Sequence, residues 1–119
     1  MKLLTESQRR QLLCNGKRNA ELTEQDRDTI DYFPVLKLFC PWGGATWLLT
    51  ELDPEDPEIA FGLCDLGMDS PEIGRVSLAE LAALRGPGGL TIERDIHFEP
   101  TKTLSGYMQE ARRTGRLMA

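Results

Sequence analysis

The sequence predicts an α+β fold: a mainly antiparallel sheet of about four to six strands with about three helices packed on it. Three observations lead there. Apolar runs with two-residue alternation follow one another from Phe33 to Leu66, separated by short breaks of Gly, Pro and Asp. Two helix starts carry their own capping signals, at Thr5 and Ser77. A third apolar stripe, Leu104, Tyr107, Met108 and Ala111, recurs at helical spacing. At 119 residues the chain fits one domain, spanning 1–119, and is long enough to bury a core without disulfides.

The first helix is expected to open at Thr5. In Thr5-x-x-Gln8 each side chain satisfies a backbone N–H that the first helical turn leaves unpaired. Asn15-Gly16 reads as its stop, since glycine accepts the left-handed cap conformation. Lys17 to Tyr32 is polar and weakly patterned, and reads as loop with at most one helical turn. The first strand is Val35 to Phe39, with Pro34 at its edge because proline lacks a ladder donor. CPWGG breaks it. Ala45 to Leu52 is the second strand and Ile59 to Leu66 the third. Between them the stub DPEDPE, Asp53 to Glu58, reads as a hairpin end. In the third strand Ile59, Phe61 and Leu63 alternate with Ala60, Gly62, Cys64 and Leu66, so both faces carry cover. A short strand near Arg75-Val76 leads into the second helix. There Ser77 and Glu80 form a capping box, Val76 and Leu81 stand at the staple positions, and Gly86 is the stop. TIERDIHFEP alternates as a further strand up to Pro100. The last helix begins near Thr103 and ends at Thr114-Gly115, with Arg112 and Arg113 in the turn where cations suit the dipole. Strands followed by helix, strand and helix place the helices on one face of the sheet.

Charge is distributed unevenly. The net charge is −5, but Leu38 to Gly74 contains no Lys or Arg and eight acids: Glu51, Asp53, Glu55, Asp56, Glu58, Asp65, Asp69 and Glu72. The remainder of the chain is net positive. Its bases cluster at Arg9, Arg10, Lys17 and Arg18, and again at Arg112, Arg113 and Arg116. Such segregation creates a field that steers charged partners, and an acidic middle disfavours nucleic acid. The plain alternative is a hairpin whose acids merely keep it solvated. Cys14, Cys40 and Cys64 are odd in number and lack CxxC spacing, which argues against a disulfide framework or zinc site; they read as reduced, buried small hydrophobes. No apolar run approaches the ~20 residues of a membrane span. MKLLTESQRR has too short an apolar stretch for a secretory leader. The expected location is the cytoplasm.

Two side-chain sets have site-like character. Glu93, Asp95, His97 and Glu99 share one face of the TIERDIHFEP strand, with alternate Cα atoms roughly 6–7 Å apart. His97 with Asp95 or Glu99 would suit acid–base work or an oxygen-rich cation site. As His97 is the chain's only histidine, a zinc or iron site is disfavoured, and no cofactor is expected. The second set is Trp42 and Trp47 around Gly43-Gly44. These form either a stacking surface for a partner or caps on the core at a hairpin end. GPGG, Gly86 to Gly89, is neither GxGxxG nor a P-loop, and no nucleophile, zincin or kinase motif is present.

Three long stretches carry a resemblance: LLTESQRRQLLCNG, VLKLFCPWGGATWLLTELDPEDPEIAFGLCDLG and GRVSLAELAALRGPGGLTIERDIHFEPTKTLSGYMQEAR. Together, from Leu3 to Arg113, the chain resembles the bacterial family called domain of unknown function 2958. The resemblance implies a small single-domain protein carried near plasmid-transfer and integrative-element genes. It implies no activity, cofactor or catalytic residue.

Three functional expectations follow. The first is a non-enzymatic binding protein of mobile elements that presents Trp42, Trp47, Glu51, Asp53, Asp56 and Asp65 to a basic protein surface, of a host defence protein or of the DNA-transfer machinery. The second is a nucleic-acid binder using the basic terminal helices, if these pack together. The third is a small metal-assisted or acid–base enzyme using Glu93, Asp95, His97 and Glu99.

Overall fold

A computed structural model describes residues 3–119; Met1 and Lys2, the first two residues of the opening weighed above as a leader, lie outside the described residues. Helix α1 is Glu6–Glu24. Strands β1 Leu36–Phe39, β2 Thr46–Asp53, β3 Asp56–Asp65 and β4 Glu72–Ser77 follow. Helix α2 is Leu78–Ala83, strand β5 is Glu93–Arg94, and helix α3 is Leu104–Thr114. The strands form one antiparallel sheet in the order β4-β3-β2-β1-β5. The α+β class holds.

The helix starts are as expected. Thr5 and Gln8 form a reciprocal capping box, and Thr103 accepts from the Gly106 N–H. Of the box expected at Ser77 and Glu80 the forward half is formed, the Ser77 hydroxyl accepting from the Glu80 N–H. Helix α3 buries the expected stripe and ends on left-handed Gly115. Helix α2 stops at Ala83, earlier than Gly86.

The expected stop at Asn15-Gly16 is overturned: α1 runs eight residues further, to Glu24. Its inner face is Leu12, Asn15, Gly16, Asn19 and Leu22, all buried. The reason lies in β2. Strand β1 begins at Leu36, opposite Leu49, so β2 beyond Leu49 has no strand on that side. Helix α1 takes its place. Asn15 Nδ2 donates to the Thr50 carbonyl at 2.9 Å. A Cβ on Gly16 would stand 1.8 Å from the Leu52 carbonyl oxygen, so only glycine permits the approach. Two residues that favour a helix end in isolation serve here to seat a helix on an open strand edge.

The helices do not share one face. Trp47 and Leu49 of β2 pack with Leu12 of α1 and with Leu78 and Leu81 of α2. Leu48 between them, with Leu63 of β3, packs under Leu104, Tyr107 and Met108 of α3. Strand β2 thus has apolar side chains on both faces, and α3 covers the face opposite to α1 and α2. The expected alternation of β3 holds: Ala60 and Cys64 lie against the first cluster, Phe61 and Leu63 against the second.

The long TIERDIHFEP strand is also corrected. Only Glu93 and Arg94 pair, with Phe39 and Leu38 of β1. The Asp95 N–H still donates to the Lys37 carbonyl, but the Asp95 side chain then accepts from the His97 N–H at 2.9 Å and closes a turn. Beyond the turn Ile96 is 71% exposed, whereas Ile92 before it is buried in the core. No helix among the described residues is long and apolar enough to cross a membrane.

Candidate functional site

The stub DPEDPE is a tight hairpin end. Asp53 pairs with Asp56, and Pro54-Glu55 makes the turn. Each aspartate stiffens the end by accepting a backbone N–H two residues on, Asp53 from Glu55 and Asp56 from Glu58. Arginines from elsewhere in the chain flank it. Arg75 of β4 reaches Asp53 at 3.2 Å, and Arg9 of α1 reaches Glu58 at 3.9 Å. The acidic stretch that lacks bases in sequence therefore acquires two in space.

Between this hairpin and the C-terminal half of α1 lies a groove of about 560 Å³. Asn19, Ala20 and Thr23 of α1 form one wall; Asp53, Pro54 and Glu55 form the other. Leu52, Ile59, Ala60 and Phe61 supply apolar lining, and Arg75 stands at the side with Asp53. Glu51 lines the groove and also a smaller neighbouring cavity of about 180 Å³ that it shares with Tyr32, Ile73 and Ser105.

Glu51 is the group with the most unusual setting. Burial pushes its carboxyl above the ordinary glutamate value, while a hydrogen bond from Asn19 Nδ2 at 2.9 Å pulls the other way. Asn19 is fixed in turn by the segment after α1: its amide donates to the Ile30 carbonyl and its Oδ1 accepts the Ile30 N–H at 2.7 Å. Among the described residues no cation pairs with Glu51. At the rim of the smaller cavity, Ser105 donates both its hydroxyl and its N–H to Asp31. Burial works against the Asp31 carboxylate, but these bonds and one to Thr103 prevail, and its pKa is lowered. The arrangement caps the start of α3 and ties the preceding loop to it.

The expected site residues divide. Glu51 and Asp53 line the groove, and Asp56 sits exposed at the hairpin end beside it. Asp65 lies nine residues along β3, about 30 Å away at strand rise. It is buried and accepts the N–H groups of Gly67 at 2.8 Å and Leu117 at 2.7 Å, so it ties the C-terminal segment to the sheet. Trp47 is a core residue. Trp42 is half-buried against Gly86, where an added Cβ would lie 2.3 Å from its ring. That contact explains a glycine at Gly86 without any phosphate. Neither tryptophan lines the groove.

Glu93, Asp95, His97 and Glu99 do not share a strand face, because the turn at Asp95 separates them. Asp95 is paired with Lys37 at 3.5 Å. Among the described residues no group of three or more His, Cys, Asp or Glu is placed to hold a metal ion. The basic helices do not converge either: α1 and α3 cover opposite faces of the sheet. The cysteines are free. Cys40 and Cys64 pack against the core, and burial pushes the Cys64 thiol up, with Asp65 and Glu72 adding to it; Cys14, expected buried, is exposed.

Asn19, Glu55, Phe61 and Arg75 are among the groove residues that the expected site set omits. The spacing Leu12, Asn15, Gly16, Asn19, Leu22 would have revealed the α1 wall had polar residues been allowed on an inner face.

A family model described as Protein of unknown function (DUF2958) matches residues 3–118. No curated protein and no solved structure matches the chain.

Proposed function

Since the chain belongs to the family described as Protein of unknown function (DUF2958), and that description fixes no activity, we propose from the groove that it is a non-enzymatic protein-binding module that docks a basic partner. One observation carries this reading. Three carboxylates of the base-free stretch, Glu51, Asp53 and Glu55, line a single groove whose lining is otherwise largely apolar. A half-buried carboxylate without a cation is costly, and a partner's Lys or Arg offsets that cost on docking. The apolar lining adds area that solvated acids alone would not provide. Under this proposal the partner is a basic surface of a host defence or DNA-transfer protein, met in the cytoplasm. The mobile-element setting implied by the resemblance supports that choice.

The test is an affinity capture from nuclease-treated host lysate, at low and at moderate salt, with wild type beside Asp53→Lys/Glu55→Lys. The expected result is a basic protein held by wild type, weakened by salt and absent from the variant. The same proteins on both baits would contradict the proposal.

A further inference from the structure

The geometry points to arginine as the side chain this groove takes from its partner, with the chain's own Arg75 holding that place until the partner arrives. The inference rests on the docking reading above and names both its ligand chemistry and its regulation. Arg75 lies on the edge strand β4, directly opposite Phe61 of β3, so its stem stands beside a groove-lining ring on the same face. Its guanidinium reaches across β3 to Asp53 Oδ2 of β2 at 3.2 Å. One guanidinium thus already stands at the side of the groove, paired with the Asp53 carboxylate and carried from a position opposite Phe61. Arginine suits that arrangement better than lysine, because its planar, weakly hydrated fork pairs with carboxylates in a fixed geometry.

The internal pair is built to yield. The Arg75 side chain is 72% exposed, and exposed pairs of this kind are weak. β4 is an edge strand whose residues Glu72 to Arg75 are all exposed, so the guanidinium can swing outward without disturbing the core. Asp53, by contrast, is mostly buried and is anchored by its bond to the Glu55 N–H. The acceptor is anchored and the donor is exposed. An incoming arginine competes with Arg75 for Asp53 and finds Glu51 and Glu55 alongside.

The test is fluorescence anisotropy with labelled, end-capped tetra-arginine and tetra-lysine peptides at physiological salt, where the Debye length of about 8 Å suppresses general charge effects. The proteins are wild type, Arg75→Ala, Asp53→Asn and Arg9→Ala. Arg9→Ala deletes the same charge from the other flank of the hairpin, at Glu58. The expected result has three parts. Tetra-arginine binds more tightly than tetra-lysine. Arg75→Ala tightens tetra-arginine binding roughly threefold to fivefold, the worth of one exposed ion pair, and by more than Arg9→Ala does. Asp53→Asn weakens it. Equal gains in Arg75→Ala and Arg9→Ala, or no gain in either, would overturn the role of Arg75 while leaving docking intact. Equal affinity for the two peptides would overturn the assignment of arginine. Binding of neither peptide to any of the four proteins would overturn the docking reading itself.

Discussion

At the residue scale, the account depends on polar side chains in places where apolar ones are usual. Asn15 is buried and gives its amide to the Thr50 carbonyl, while its own Oδ1 accepts from Gln11. Asn15→Ala leaves that carbonyl buried without a donor, and the expected loss is about 1–3 kcal/mol of unfolding free energy in urea melts. Glu51 makes a different prediction. Its folded-state pKa lies above its unfolded value, so the native state binds the proton more tightly. The sign follows: ionised Glu51 opposes folding at neutral pH, and its contribution improves as pH falls through the raised value toward the usual 4.5. Glu51→Gln keeps an acceptor for Asn19 and removes the charge. The variant is expected to be more stable than wild type at pH 7, with the difference disappearing near pH 4. Equal stability at pH 7 would show that burial costs the carboxylate nothing.

At the element scale, local signals were legible and exceptions arose where partners are distant in sequence. The starts of α1, α2 and α3, the extended run of β2, the alternation of β3 and the hairpin at Pro54-Glu55 all depend on residues within a few positions of each other. The second half of α1 does not. Its inward positions are Asn15, Gly16 and Asn19, chosen by the open edge of β2, and an apolar pattern search passes over them. β5 failed for a related reason. Alternation from Glu93 to Glu99 is real, but the ladder with β1 stops after Arg94 because the Asp95 side chain takes the His97 N–H and closes a turn, although Leu36 and Lys37 extend β1 further. Gly16→Ala tests the packing of α1 directly. In an isolated helix alanine would stabilise by about 1 kcal/mol. Here the new Cβ meets the Leu52 carbonyl, and destabilisation of about 1–3 kcal/mol is expected by thermal or denaturant unfolding. A gain in stability would mean that α1 does not seat on β2 in this way.

At the scale of the whole molecule, two arrangements could not be read from the chain. The side of the sheet taken by each helix stayed open because Trp47, Leu48 and Leu49 are apolar in succession and fit cover on either face. The charge map changed on folding for the same reason of distance. Glu51, Asp53, Glu55, Asp56 and Glu58 gather at one end of the β2–β3 hairpin, whereas Asp65 and Glu72 lie at the other. Arg9 and Arg75 then come in beside the first group. What remains is a directed feature: an acidic groove between α1 and the hairpin, with the basic helices on opposite faces. The most direct measurement is amide chemical-shift mapping of the isotopically labelled chain during titration with the capped tetra-arginine peptide. The account predicts saturable shifts at Asn19, Thr23, Glu51, Glu55 and Phe61, with Asp65 and Gly115 unmoved. Shifts spread evenly over the exposed acids, or absent from the groove, would contradict it.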